Sequence, residues 1–366
     1  MSRSFFRISA GSIAGLGIML LAGCDLGPKQ STQTGYRGTG LEQIVDANHV
    51  AKTNAIPASP YPLPADGGPT AGETYTNLKV LNGVSKDRFD HLMAEMTQWV
   101  APPEQGCNYC HNPNNMASDE KYTKVAARRM LEMTQNINSR WSSHVKETGV
   151  TCFTCHRGNA VPENKWALSE GTPNPGSILG NRHGQNTPNV NVGYASLPYD
   201  PFAEYLNGRH QIPVASSSAF PSRDHVVSIK QAEQTYGLMM HVSSALGVNC
   251  TYCHNSQSFR AWNLSRAQRA TAYYGIRMVR DINGTYIGSL QSVFPANRKG
   301  PHGDPYKVNC ATCHQGVSKP LGGMSMLAQA PALRGSSPAA APEGGPAAGT
   351  AVPNAFAKPA AMTGKK

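Results

Sequence analysis

Cys107-Asn108-Tyr109-Cys110-His111 is the stretch that decides how this chain of 366 residues folds. The same Cys-x-x-Cys-His pattern recurs at Cys152–His156, Cys250–His254 and Cys310–His314, so eight of the nine cysteines belong to it. In this pattern the two thiols bond to the vinyl groups of a haem and the histidine binds its iron. Zinc sites and disulfides are the alternatives, but structural zinc needs four ligands and no histidine directly after each cysteine pair. The motifs therefore predict four covalent c-type haems in a chain that carries electrons.

The ninth cysteine lies at the end of an N-terminal export signal. A basic start precedes an apolar run from Ile8 to Ala22, which is too short to span a bilayer comfortably. The ending Leu21-Ala22-Gly23-Cys24 resembles a bacterial lipobox, which implies cleavage after residue 23 and a diacylglycerol on Cys24. Two acyl chains are enough for stable anchoring. Asp25 implies retention at the periplasmic face of the inner membrane, and an ordinary signal peptide with a leftover cysteine is the alternative.

Composition and charge limit the partners and the kind of core. Only 39% of residues are hydrophobic, because four haems supply apolar surface that side chains would otherwise provide. The formal net charge of +11 falls to +6 without the signal and the segment from Arg334 onward. No basic cluster interleaves with aromatic residues, so nothing indicates nucleic acid as a partner.

The chain is organised as two similar halves. Leu92-Met93 and Asn136-Ile137-Asn138 in the first half are echoed by Leu238-Met239 and Asp281-Ile282-Asn283 in the second, and Arg129-Met130 is echoed by Arg277-Met278. Helical apolar spacing precedes each motif, at Phe89–Val100, Lys121–Ile137, Ile229–Leu246 and Ala267–Ile282. The predicted fold is mainly α with much irregular loop, a multihaem cytochrome c built from two pseudo-symmetric dihaem halves of helix–turn–motif units.

The predicted boundaries follow from these halves and from composition. They are a signal peptide at 1–23, a lipid-anchored N-terminal segment at 24–75, a first dihaem half at 76–166, a connector with a few short strands at 167–225, a second dihaem half at 226–322, and a disordered tail at 323–366. The tail is rich in Ala and Pro, above all after Gln329, and has too little apolar bulk to fold.

Each iron needs a second axial ligand or an open face. The covalent attachment residues are Cys107, Cys110, Cys152, Cys155, Cys250, Cys253, Cys310 and Cys313, and the proximal ligands are His111, His156, His254 and His314. Met93, Met130 and Met239 lie on the predicted helices and are the expected distal ligands, with Met96, Met133 and Met240 as rivals. Methionine on a helix more often fills a core. Met278 matches Met133 in the repeat, so His144 is the expected partner of His314.

Five runs carry a family resemblance: His91–Met93, Ala127–Met133, Thr148–Cys152, Tyr199–Phe202 and Gly275–Asp281. They resemble the tetrahaem cytochrome subunit of purple-bacterial photosynthetic reaction centres, over about residues 20–322. The resemblance implies His/Met ligation at three haems through Met93, Met130 and Met239, and a bis-His haem held by His144 and His314.

The resemblance also implies a function. A soluble periplasmic carrier, either a small cytochrome c or a high-potential iron–sulfur protein, would reduce the array. The array would re-reduce the photo-oxidised bacteriochlorophyll pair in the membrane subunits, with the Cys250/Cys253 haem as the proximal donor. Arg269 either raises the potential of that haem or is a solvated side chain.

Two other functions use the same motifs. A multihaem reductase would need an open-faced iron with acid–base groups beside it, and every iron here has a credible second ligand. A lipoprotein conduit for a respiratory complex would share all the chemistry and differ only in its partner. We therefore expect an electron-transfer subunit and not an enzyme.

Overall fold

The computed structural model describes residues 27–33, 42–169, 189–198, 200–214 and 229–335. The predicted signal peptide, Cys24 and residues 336–366 lie outside this part of the chain. The α-helices are α1 (Ala47–Asn54), α2 (Ala71–Thr74), α3 (Lys86–Val100), α4 (Tyr122–Arg140), α5 (Ser142–Val145), α6 (Cys152–His156), α7 (Ile229–Leu246), α8 (Ala267–Asp281) and α9 (Cys310–His314). Two antiparallel strand pairs are β1 (Lys29–Gln33) with β2 (Glu42–Asp46) and β3 (Lys165–Trp166) with β4 (Lys307–Val308).

Short turns of tighter or wider helix connect these elements. The 3-10 turns are Gly106–Tyr109, Lys146–Thr148, Val190–Val192, Cys250–Tyr252, Gly288–Leu290, Ala296–Arg298, Pro320–Gly323 and Pro331–Arg334, and the π-helical turns are Ala203–Asn207 and Ile282–Ile287. The described residues thus form a mainly helical protein with much loop, which agrees with the predicted fold class.

The four long helices α3, α4, α7 and α8 confirm the prediction of a helix before each motif. Helix α3 ends at Val100 because Pro102 and Pro103 follow, and a proline forces the preceding residue, Ala101, into an extended conformation. Helix α7 ends at Leu246, after which Gly247 has a left-handed φ of 62°. A Cβ on Gly247 would also lie 2.1 Å from the carbonyl oxygen of Gly316, so this turn requires glycine.

An asparagine near the end of α4 and one just after α8 make the same contacts. Asn138 Nδ2 donates to Val150 O at 2.9 Å, and Val150 N donates back to Asn138 Oδ1 at 2.7 Å. Asn283 Nδ2 donates to Val308 O at 3.0 Å, and Val308 N donates back to Asn283 Oδ1 at 2.9 Å. Val150 and Val308 each lie two residues before a motif cysteine. The paired hydrogen bonds therefore fix the approach of the chain to the second and fourth motifs.

Among the described residues, three buried apolar clusters form the core. One packs Leu92 and Trp99 of α3 against Leu131 of α4. A second packs Phe202 and Tyr205 with α7 and α8. The third joins α4 to α8 through side chains that include Ile137, Trp141, Met278 and Ile282. Asp281 Oδ2 accepts hydrogen bonds from Asn136 and Trp141 at this junction.

The C-terminal segment corrects the predicted disorder of residues 323–366. Met326, Leu327 and Leu333 are buried in the cluster around α3 and α4. Gln135 donates to Ala332 O at 2.9 Å, and Asn138 donates to Leu333 O at 2.7 Å. The expectation was wrong for residues 323–335, because a few well-spaced apolar side chains find a core although the average composition is poor in apolar bulk. Residues 336–366 lie outside the described part.

The connector contributes to the core. Within residues 189–198 and 200–214 it contains a 3-10 turn and a π-helical turn but no strand. The Asp200 carboxylate accepts from the backbone N–H groups of Phe202 and Ala203, which starts the π-helical turn and directs Phe202 inward. In the described residues we find no helix whose length and apolar character would let it cross a membrane.

Candidate haem-binding sites

The four Cys-x-x-Cys-His motifs adopt two local structures that alternate along the chain. The first and third form 3-10 turns, and the second and fourth form α6 and α9. A capping box starts each of these short helices, with Thr151 and Thr154 at α6 and Asn309 and Thr312 at α9. Because a helical turn brings residues i and i+3 to one side, both cysteines of a motif can reach one edge of a haem.

All four motif histidines are oriented in the same way. Their Nδ1 atoms hydrogen bond to backbone carbonyl oxygens that follow in the chain: His111 to Met116 at 3.1 Å, His156 to Asn159 at 2.9 Å, His254 to Phe259 at 2.8 Å and His314 to Val317 at 3.0 Å. A hydrogen bond at Nδ1 fixes the tautomer and leaves Nε2 as the ligand atom for a metal. Sequence patterns do not reveal these acceptors, because they are backbone atoms of loops.

Burial favours the neutral form of several motif side chains. It lowers the pKa of His156 and His254, and it lowers the pKa of His314 to about 4. A neutral imidazole is the form that binds iron. Burial also raises the pKa of the Cys152 thiol to about 12 and that of the Cys253 thiol to about 11. These cysteines are therefore protonated thiols at neutral pH.

A cavity of about 610 Å³ joins the first and second motifs. Its walls are mostly apolar and include the side chains of both motifs and the predicted ligands and rivals on α3 and α4: Cys107, Cys110, His111, Cys152, Cys155, His156, Met93, Met96, Met130 and Met133. An apolar cavity lined by thiols, imidazoles and thioethers matches the donor set of c-type haem. The structure places Met93 and Met130 at this cavity together with their rivals Met96 and Met133. All four methionines are therefore candidate distal ligands.

His144 lies opposite His314, although the two belong to different halves. Their ring centroids are 6.1 Å apart, and the ring planes are inclined by 70°. Two imidazoles that share one metal through Nε2, at metal–nitrogen distances of about 2.0 Å, have centroids about 6.3 Å apart. His144 Nδ1 bonds to Thr271 O of α8 at 2.9 Å, which leaves its Nε2 for a metal as in the motif histidines. The separation of the two rings therefore matches the span expected for two imidazoles on one metal.

Helix α7 presents the candidates for the third motif. Met239 packs against the cluster that contains Phe202 and Leu238, whereas Met240 lies beside Gly193. His241 is a further ligand-type side chain that the sequence analysis missed. It is buried, its ring lies 4.5 Å from that of Phe202, and burial lowers its pKa to about 4. Its Nε2 has no hydrogen-bond partner among the described residues.

The motifs are linked to one another in a definite order. The first and second share the cavity described above. The second and fourth meet where Cys155 Sγ lies 2.8 Å from Cys313 Sγ. The fourth contacts α7, since Gly316 N donates to Ala245 O at 2.8 Å, and α7 leads into the third motif.

Arg269 lies beside the third motif and is half-buried. Its guanidinium donates to Ala261 O at 3.1 Å and to Ser265 Oγ at 2.8 Å, and it stacks 4.0 Å from the ring centroid of Trp262. Burial and, to a smaller extent, the positive charge of Arg269 lower the pKa of His254. The side chain thus holds the loop after the motif and acts electrostatically on its histidine.

Comparison with known proteins identifies the family of the chain. The family model described as "Photosynthetic reaction centre cytochrome C subunit" matches residues 25–334. The chain is similar to the photosynthetic reaction center cytochrome c subunit of Rubrivivax gelatinosus, with 48% identity over 92% of each chain. The corresponding proteins of Thermochromatium tepidum and Roseobacter denitrificans are 45% and 38% identical, over 90% and 83% of this chain and 83% and 85% of theirs.

The fold and the comparisons together define a c-type cytochrome, a class that carries covalently bound haem and transfers electrons. Within that class, the chain belongs to the family of photosynthetic reaction centre cytochrome c subunits. The resemblance noted from the sequence runs is thereby confirmed.

Proposed function

We propose that this chain is the tetrahaem donor subunit of a photosynthetic reaction centre, built from two dihaem halves. The observation that carries this proposal is the common orientation of four motif histidines, each held at Nδ1 by a backbone carbonyl. When bound, the haems supply reversible one-electron transfer between ferric and ferrous iron. The chain supplies the attachment thiols, the axial ligands and a dry environment for each of them.

The distal ligands set the order of potentials. Met93, Met130 and Met239 provide thioethers for the motifs of His111, His156 and His254, and His144 provides an imidazole for that of His314. Thioether ligation favours ferrous iron and raises the potential, whereas two imidazoles lower it. The geometry that supports the last assignment is the 6.1 Å separation of the His144 and His314 rings. The chain therefore holds three higher-potential sites and one lower-potential site.

The contacts between motifs support a linear path in the order first, second, fourth, third. The shared cavity links the first motif to the second, and the contact between Cys155 and Cys313 links the second to the fourth. Helix α7 links the fourth motif to the third. The first motif is the entry, because Cys107 is exposed and Met116 beside His111 is 53% exposed. A soluble periplasmic carrier, a small cytochrome c or a high-potential iron–sulfur protein, donates there.

The exit is the third motif, which faces the reaction-centre membrane subunits and re-reduces the photo-oxidised bacteriochlorophyll pair. The chain is held at the periplasmic face of the photosynthetic membrane by these subunits and by a diacylglycerol on Cys24. Two acyl chains bind a bilayer stably where a single chain binds marginally. The chain itself catalyses no substrate conversion.

Potentiometric titration of the purified holo-protein tests this assignment. With four haems per chain by the pyridine haemochrome assay, we expect three components at higher potential and one clearly lower. Carbon monoxide should leave the reduced spectrum unchanged, because every iron has two protein ligands. A carbon monoxide complex at one haem would contradict the proposal and favour a reductase with an open-faced iron.

A further inference from the structure

The paired asparagine contacts show which residues of α4 and α8 occupy equivalent positions in the two halves. Asn138 and Asn283 make equivalent hydrogen bonds to Val150 and Val308, and the isoleucines before them, Ile137 and Ile282, are buried in the same cluster. Asn138 lies within α4, and Asn283 lies two residues after the end of α8, so the two turns that precede each position are helical. Eight residues before Asn138 stands Met130, and eight before Asn283 stands Gly275. The second half thus has no side chain where the first half has its candidate thioether.

The space above Gly275 is filled by the imidazole of His144. A Cβ at Gly275 would lie 2.5 Å from His144 Cε1 and 2.7 Å from its Nδ1. One turn earlier on the same helix, Thr271 O accepts the hydrogen bond from His144 Nδ1. Helix α8 therefore both receives the ring and fixes its rotation.

Nothing in the backbone at this position demands glycine. Gly275 lies inside α8 and has an ordinary helical φ, so alanine would fit the backbone. Glycine inside a helix destabilises it relative to alanine. The contact with His144 explains why glycine occupies this helical position.

We propose that Gly275 is the positioning residue that selects the type of distal ligand at the His314 site. Because it lacks a side chain where the first half carries Met130, it admits an imidazole from the other half in place of a thioether. This inference rests on the proposed ligation by His144 and His314.

The first test is Gly275→Ala in the full holo-protein. A ring contact of 3.4 Å or more is ordinary, so the ring must shift by about 0.9 Å, nearly half a metal–nitrogen bond. We expect the electron paramagnetic resonance signal of the bis-imidazole haem to be lost and the lowest of the four potentials to rise. The matched control is Gly284→Ala, since a Cβ there meets no atom within 4 Å, and it should match the parent.

A second variant avoids the clash between a side chain at position 275 and the His144 ring. In the double variant His144→Ala and Gly275→Met the ring is gone, and a thioether stands where Met130 stands in the first half. We expect the sulfur-to-iron charge-transfer band of His/Met haems to grow from three haem equivalents to four. His144→Ala alone should leave the intensity of this band at three haem equivalents. A fourth equivalent in the double variant would then come from the methionine introduced at position 275.

The outcomes separate this inference from the ligation on which it rests. If His144→Ala changes the bis-imidazole signal but Gly275→Ala does not, and the double variant stays at three equivalents, the role of Gly275 is refuted and the ligation stands. If His144→Ala leaves the signal unchanged, the proposed ligation is wrong and this inference is overturned with it.

Discussion

Replacing Asn138 or Asn283 by alanine tests whether the paired hydrogen bonds hold the second and fourth motifs. Asn138 makes three hydrogen bonds, two with the backbone of Val150 and one to Leu333 O, at 2.7–2.9 Å. Asn283, which is 1% exposed, makes two with Val308 and one to Leu206 O, at 2.9–3.0 Å. At about 1 kcal/mol for each lost bond, either change should lower the free energy of unfolding by about 3 kcal/mol.

The assay is urea denaturation of the purified holo-protein, followed by circular dichroism and by haem absorbance. The shift in midpoint, multiplied by the slope, gives the loss of stability. Potentiometry of the same samples gives a local readout. Asn138→Ala should disturb the haem of Cys152 and Cys155, and Asn283→Ala that of Cys310 and Cys313.

Asn114→Ala, at an exposed loop position, is the matched control and should stay within about 0.5 kcal/mol of the parent. The reasoning is refuted if the Asn138 and Asn283 variants both also stay within this range. It is equally refuted if either variant changes all four potentials alike, because the hydrogen bonds would then not act on their own motif.

Three further predictions follow from the C-terminal segment, Arg269 and Cys24. Leu333→Ala should lower the free energy of unfolding by about 2–5 kcal/mol in denaturant titrations, because Leu333 is fully buried; an unchanged midpoint would mean that the segment does not stay packed. Arg269→Leu should lower the potential of the Cys250/Cys253 haem by about 100 mV, a value that takes the charge about 7 Å from the iron at an effective dielectric near 20. Arg269→Lys keeps the charge and should shift the potential less. An unchanged potential in the Leu variant would dismiss the tuning role. Cys24→Ser should move the protein from the membrane to the soluble fraction of cells that lack the other reaction-centre subunits, and retention in the membrane would argue against a lipid anchor.

Local sequence signals predict much of this protein. The long helices α3, α4, α7 and α8 follow from apolar spacing, and the motifs follow from cysteine and histidine chemistry. The repeat also carries information about the register, because Asn138 and Asn283, both within the echoed runs, make equivalent contacts. These contacts align Met278 with Met133, as the Asn136–Asn138 echo predicts, and not with Met130, which the Arg129-Met130 echo taken alone would indicate.

Features that depend on tertiary packing could not be predicted from the sequence. The average composition of residues 323–335 conceals apolar side chains whose burial depends on contacts with residues of α3 and α4 far away in the sequence. The acceptors of the motif histidines are backbone atoms, which no side-chain pattern encodes. The position of His144 beside α8 depends on the absence of a side chain at Gly275, which a sequence displays only as one more glycine.

A single saturating flash, given to native membranes poised so that the haems are reduced, tests the central claim most directly. The cytochrome α-band should report haem oxidation within microseconds, in step with re-reduction of the bacteriochlorophyll pair, and deletion of this chain should abolish it. A chain that carries four haems in these membranes yet shows no flash-induced oxidation would contradict the account, and a respiratory conduit or a reductase would then be the better description.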